Sequence, residues 1–414
     1  MVLATVFVLV VFLYSLASRR LERTVITGPI VFTAAGLLTL LMPPWLGKLE
    51  LDRQASLLIA EIGLVMTLFT DAAHIDLRVL KENRNLPVRL LSTGMLLTIL
   101  LGAVGALVII GGLSIWEACI LAAILAPTDA GLGQVIVNSP KIPIRVRQAL
   151  NVEAGLNDGL SVPFLMLFIA LALETTEGAG AVLTRFLIEQ LGYGSFAGLG
   201  IGLIGGWLLG VAQRRNWATE GMQRLGLVTL PLVCVIVAEA TGASMFIAAF
   251  VAGLVVQIGF AEAGKHSSEF AEDWGQLFDF FVFFLFGLIV AQAWSHFSPA
   301  FLLYAIISLT VIRMVPVALA LVGTGLSRAT VLFMGWFGPR GLASIVLGLF
   351  YLEQEANLPG EPVMRLALMA TVLLSIFAHG FSALPGIILY GRNIAALDIG
   401  APENQAIAAK TSAL

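Results

Sequence analysis

Apolar runs about as long as a bilayer is thick recur along the whole 414-residue sequence. A helix needs ~20 consecutive apolar residues to cross the hydrocarbon layer, and only helices and closed barrels satisfy every backbone polar group there. Such runs fall at roughly 2–18, 26–42, 55–75, 88–112, 116–137, 147–172, 186–211, 225–241, 243–260, 276–294, 299–323, 328–352 and 362–390. These thirteen runs predict an all-α membrane protein with thirteen transmembrane helices. Composition agrees, with 59% hydrophobic and 12% charged residues and a mean hydropathy of +0.97. Soluble domains carry about 25% charged residues. The first run is read as a helix and not as a leader, because Arg19, Arg20 and Arg23 follow it and no A-x-A-like cleavage site appears.

Charge sets the expected orientation. With the N-terminus outside, the inner segments hold 17 of the 23 Lys and Arg, from Arg19 through Arg78, Lys141, Arg214 and Arg328 to Lys410. The outer segments hold Lys48, Arg53, Arg185 and Arg365, and Arg313 and Arg340 lie within the membrane. This asymmetry follows the positive-inside rule, so the expectation is a bacterial-type inner-membrane protein, N-terminus outside and C-terminus cytoplasmic. The tail after Arg392 is short, and no soluble regulatory domain is expected in it. A net charge of −3 leaves no footprint for nucleic acid. Cys119 and Cys234 read as packing residues. No nucleophile–base pair or metal-ligand spacing appears, so neither an enzyme nor a cofactor is expected.

Two spans are interrupted near the middle. In SIWEACILAAILAPTDAGLGQVIVNS, Pro127 stands beside Asp129; in SRATVLFMGWFGPRGLASIVLGLFYL, Pro339 stands beside Arg340. A helix broken in hydrocarbon is tolerated where its freed backbone faces protein or a polar cavity. Broken helices in corresponding halves point to a transporter built from inverted repeats, with substrate bound at the midplane. The signs are complementary, since a carboxylate satisfies helix N-termini and a guanidinium helix C-termini.

Ionisable residues inside spans cost at least ~2.5–3.5 kcal/mol each on insertion scales and need a reason. The run VEAGLNDGLSVPF places Ala154, Asp158 and Ser161 on one helical face, with Glu153 and Asn157 on the adjacent one. A carboxylate in a low-dielectric cavity prefers a bound proton or cation to a bare charge, which suits monovalent cation–proton exchange. Asp158, Asn157, Asp129, Thr128 and carbonyls freed at the APTD break supply hard oxygen ligands for such a cation. Glu153 reads as one member of a buried ion pair with Arg313 or Arg340. His74 reads as an ordinary interfacial histidine, with pH sensing the alternative, His379 as a packing histidine over a functional one, and Glu239 equally as a helix-end contact or a transport residue. Asp71 and His74, in FTDAAHID, are expected near the cytoplasmic end of the third helix. FDFFVFFLFGL reads as a lipid- or core-facing aromatic run, and GLGIGLIGG as tight helix packing.

The motifs LAPTDAGLG, VEAGLNDG, GPRGLAS and SIFAHGFSALPG, in that order, resemble the core motifs of the monovalent cation:proton antiporters, in the branch of NhaP and the eukaryotic Na⁺/H⁺ exchangers. The resemblance extends from about residue 55 to the last helix. It implies a homodimer in the lipid bilayer that exchanges Na⁺, or Li⁺ or K⁺, for H⁺, with a mobile core shifting against a static dimerisation domain. The expected division is dimerisation helices in 1–54, a first core repeat in 55–172, linker and dimer-domain helices in 173–275, a second core repeat in 276–392 and a tail in 393–414. The family's cation site maps onto Asp158, Asn157, Thr128 and Asp129. Its structural glutamate maps onto Glu153, with Arg313 the first choice of partner and Arg340 left to stabilise the broken twelfth helix. Glu61 matches a glutamate that reaches the site through water in some relatives. An aspartate in place of Asn157 marks electrogenic relatives, so Asn157 implies electroneutral one-for-one exchange. Ala154 departs from the serine of many relatives and leaves cation selectivity open, with Ser161 as the accessory hydroxyl on the same face. Two alternatives remain at this point: a K⁺/H⁺ antiporter of the same fold, and a membrane receptor or sensor derived from it that no longer transports.

Overall fold

Among the residues that the computed structural model describes, 2–21, 24–41, 53–75, 85–173, 188, 192–264, 266–353, 356–395 and 401–403, helix occurs in each of the thirteen expected spans. In chain order the helices are α1 (Val2–Leu21), α2 (Gly28–Leu37), α3 (Arg53–His74), α4 (Asn85–Ile109), α5 (Ile115–Ile124), α6 (Ala130–Val137) and α7 (Ile144–Leu173). There follow α8 (Gly194–Arg214), α9 (Glu220–Thr241), α10 (Met245–Gly259), α11 (His266–Ala293), α12 (Pro299–Ala320), α13 (Arg328–Trp336), α14 (Leu342–Glu353) and α15 (Glu361–Ala395). No strand occurs among the described residues. The two interrupted spans appear as the pairs α5/α6 and α13/α14. The eleventh span, expected as one run, bends at Thr310, whose hydroxyl bonds back to the Ile306 carbonyl at 2.6 Å; such back-bonding bends helices.

The helices pack in two groups. α8 and α9 lie on α10, α3 on α10 and α11, and α11 on α2. In the second group α4 packs on α5, α5 on α7, α13 on α12, and α12 on α15. The groups meet where α7 touches α3 and α10, and where α14 touches α3 and α11. The glycine-rich run behaves as expected. Gly198, Gly202, Gly206 and Gly210 of α8 face carbonyls of α10 so closely that a Cβ would strike Ala248 O, Ala252 O, Val256 O and Gly259 O. Small residues at every fourth position let the two backbones meet, and van der Waals contact then holds them in lipid.

Charged loops gather on one end of the bundle. Arg145 Nη1 donates to Pro402 O at 2.7 Å, Arg147 Nη1 to Val137 O at 3.1 Å, and Arg89 Nη1 to Val322 O at 2.7 Å. At the opposite end, Glu117 accepts from Ser114 N at 2.7 Å and from Gly360 N at 2.6 Å, tying the start of α5 to the start of α15. Glu403 belongs to the first end. Its Oε1 accepts from Ser327 N and from Thr330 Oγ1, both at 2.8 Å, and so caps α13. Burial opposes the charge, but the donations from Ser327 and Thr330 outweigh it and hold the carboxyl below its ordinary range. A lowered folded pKa means that this contribution is present above the ordinary glutamate range and lost as pH falls through the lowered value. Glu403→Ala should therefore cost about 1 kcal/mol at neutral pH, the usual worth of a helix cap. Thermal unfolding measured from pH 7 downward should show the difference from wild type closing below about pH 4. A difference independent of pH would contradict the capping role.

Candidate functional site

The two unwound stretches, 125–129 and 337–341, cross and bond to each other: Asp129 N donates to Pro339 O at 2.8 Å. Each break leaves helix ends with unsatisfied groups, and the two charges answer them. Asp129 Oδ1 accepts from Leu132 N at 2.9 Å in the first turn of α6, and its Oδ2 accepts from Leu342 N at 2.5 Å at the start of α14. Arg340 Nη1 donates to Ala126 O at 2.7 Å and to Pro127 O at 2.9 Å, just past the end of α5. Negative charge thus meets two helix N-termini and positive charge one C-terminus, as the dipole argument requires. Gly341 is part of the arrangement, since a Cβ there would occupy the place of the Asp129 carboxylate.

Asn157 fastens α7 to this crossing. Its Oδ1 accepts from Thr128 N at 3.2 Å and its Nδ2 donates to Thr128 Oγ1 at 2.8 Å. One turn earlier Glu153 Oε1 accepts from Arg313 Nη1 at 2.6 Å, with both side chains 3% exposed. The pair joins α7 to α12, and Arg340 serves the breaks instead. His379 Nε2 donates to the freed Trp336 carbonyl at 2.9 Å, and its neighbour Ser375 Oγ accepts from Arg340 N at 2.6 Å. His379 is a hydrogen-bonded packing residue.

Asp158 differs from all of these. It is 6% exposed, and its Oδ1 is buried with no hydrogen-bond partner among the described residues. It stands within charge–charge range of Asp129, Asp71, Asp279 and Arg340. Ser161, on the same face, turns its hydroxyl to the Asp158 carbonyl at 2.8 Å, and so bonds to the helix backbone. Ala154 lines a cavity of about 20 Å³ with Thr128, Asp129, Asn151 and Pro339, enough for one water molecule.

Two neighbours of Asp158 were not singled out as site residues from the sequence. Asp71 was expected merely near a helix end, yet a Cβ built on Gly155 of α7 would lie 3.6 Å from Asp71 Cβ. Asp279 was read within an aromatic run; its Oδ1 accepts from Thr67 Oγ1 of α3 at 3.2 Å. The signal was present. Gly63, Thr67 and Asp71 recur every four residues on α3, and an acid inside an apolar run is informative by itself. Glu61 is buried on α3, ten residues before Asp71 and hence about 15 Å from it along the axis. Glu239 is exposed in the last turn of α9, as expected of a helix-end residue.

The site makes a prediction of its own. Asp129→Ala removes the caps of both α6 and α14, each worth about 1 kcal/mol, so thermal unfolding should show a loss of about 2 kcal/mol or more. Asp129→Asn keeps an acceptor and should recover part of that loss. Equal stability of the alanine variant and wild type would contradict the capping role.

Crossed broken helices around a buried carboxylate define the fold of an ion-coupled secondary transporter. The solved structure of the sodium proton antiporter MjNhaP1 from Methanocaldococcus jannaschii superposes with a TM-score of 0.72 at 19% identity, covering 94% of this chain and 97% of that one. The family model described as sodium/hydrogen exchanger, transmembrane, matches residues 5–386, and the chain belongs to that family. Among curated relatives, Na(+)/H(+) antiporter 2 of Zygosaccharomyces rouxii is 25% identical over 70% of this chain and 40% of its own length. The K(+)/H(+) antiporter NhaP of Alkalimonas amylolytica is 26% identical over 80% of this chain and 57% of its own. The chain therefore spans about half the length of the curated relatives it matches.

Proposed function

We infer that the protein is a secondary-active antiporter that exchanges a monovalent cation for protons, with cation and proton competing for Asp158. One observation carries this reading: Asp158 Oδ1 is buried with no hydrogen-bond partner among the described residues, beside two unwound segments. Bare, such a charge costs several kcal/mol to keep out of water, so it holds either a proton or a cation. Na⁺ is the first candidate and Li⁺ or K⁺ the alternatives, because Ala154 supplies no hydroxyl and the relatives include both Na(+)/H(+) and K(+)/H(+) antiporters. Thr128 and carbonyls of the break complete the oxygen shell. Asp129 and Asn157 shape that shell through the bonds described above, Glu153 with Arg313 and Arg340 keeps its frame rigid, and Glu61 and Ser161 are accessory.

Asn157, in place of a second carboxylate, supports one-for-one, electroneutral exchange. The group containing α5, α6, α7 and α13 to α15 shifts as a core against the dimerisation domain, so that Asp158 faces alternate sides. The working form is a homodimer in the inner membrane, N-terminus outside, C-terminus and basic loops in the cytoplasm. The test is purified protein in proteoliposomes with an inside-acid pH gradient and clamped voltage. Addition of Na⁺, Li⁺ or K⁺ should dissipate the gradient. No response to any of the three across pH 6–9 would overturn the reading and leave a receptor that has lost transport.

A further inference from the structure

Asn151 of α7 has no task in the site described above. It stands seven residues before Asp158 and on the same helical face, about 10 Å nearer the end of α7 that carries Arg145 and Arg147. Its side chain is exposed, although it lies two turns inside a membrane-spanning helix. A carboxamide gains nothing from hydrocarbon and needs polar surroundings there.

The 20 Å³ cavity supplies them. Asn151 and Ala154 of α7 line it together with Thr128 and Asp129 of the first break, Gly133 of α6 and Pro339 of the second break. Space continues beside α6, where a Cβ added at Gly133 would meet nothing within 4 Å. The polar groups of this wall differ in what they can still offer. Both Asp129 oxygens hold helix N-termini, and Thr128 is bonded to Asn157 through its N and its Oγ1. The Asn151 carboxamide makes no hydrogen bond among the described residues. Its Oδ1 is a hard, neutral oxygen of the kind an alkali cation takes in exchange for water. Ala154, one turn closer to Asp158, brings a methyl group to the same cavity and no such oxygen.

We propose that Asn151 is the entry ligand of the transported cation: in this cavity its Oδ1 replaces one water of an ion approaching from the Arg145 end, one step before Asp158, and so takes the part that Ala154 has no hydroxyl to play. The inference rests on Asp158 being the exchange site. An amide adds an oxygen but no charge, so it draws the ion into the cavity without competing with the carboxylate that follows. Two turns separate the two residues, so the ion meets them in succession. Loss of Asn151 therefore weakens cation capture more than it slows the exchange step.

The experiment measures the Na⁺ and K⁺ dependence of exchange in proteoliposomes for wild type, Asn151→Ala, Asn151→Asp, Asn151→Ala with Ala154→Ser, and Asp158→Asn, each checked for a monodisperse elution profile. Asn151→Ala should raise the KM of the transported cation about three-fold or more and change the maximal rate by less, the mark of binding lost equally from ground and transition states. Asn151→Asp, of the same size but charged, should lower KM. Adding Ala154→Ser to Asn151→Ala should bring KM back toward wild type, because a hydroxyl then enters the same cavity; a merely structural role of Asn151 would not be rescued in this way. Unchanged KM in Asn151→Ala and Asn151→Asp, or a raised KM that Ala154→Ser leaves in place, would overturn the proposal. Exchange persisting in Asp158→Asn would instead overturn the reading of the primary site, so the two failures are distinguishable.

Discussion

Asp158→Asn is expected to abolish exchange while leaving the fold intact. The amide has nearly the size of the carboxylate but neither binds a proton in this pH range nor offers a charge to a cation. Because Asp158 Oδ1 has no hydrogen-bond partner among the described residues, the substitution breaks no hydrogen bond there and relieves a buried charge. Activity should fall at least ~100-fold, since a step that depends on the charge has no substitute route. Thermal stability should be unchanged or higher, because removing an unpaired buried charge removes its desolvation cost. A variant that loses activity through unfolding would place Asp158 in the frame and not at the exchange site.

The opposite pattern is expected at Glu153 and Arg313. Their 2.6 Å contact is almost fully buried and joins α7 to α12. Removing one partner by Glu153→Ala or Arg313→Ala leaves the other charge unpaired and should cost ~3–5 kcal/mol. Folded yield and unfolding temperature should drop together. A double replacement by apolar residues, Glu153→Leu with Arg313→Met, should recover most of that loss, because neither charge is then stranded. Full stability of either single variant would show that the pair is not an anchor.

These two expectations separate the frame of the site from its working group, and the sequence made that separation only in part. The spans were legible because lipid demands long apolar helices and leaves few alternatives. The breaks were legible because a proline with glycines and a charge has little other reason to sit mid-membrane. The pairing of Asp129 with helix N-termini and of Arg340 with carbonyls past α5 follows from dipoles alone. What the sequence could not show is which oxygens remain free. Asp129 and Asn157 read as ligands like Asp158, and their oxygens each already accept a hydrogen bond, from Leu132, Leu342 and Thr128. That depends on how two distant breaks cross, which no local spacing encodes. Asp71 and Asp279 were overlooked for a related reason. Each looks like a single acid in or beside an apolar run, and they come near Asp158 only because α3 packs against both α11 and α7.

The most direct test of competition at Asp158 is proton release on cation binding, measured with purified protein in weakly buffered detergent solution at a pH where wild-type exchange is active. Added Na⁺, or K⁺ if that is the transported ion, should release protons from wild type and none from Asp158→Asn. Cation binding to wild type without proton release, or equal release from the variant, would contradict the account.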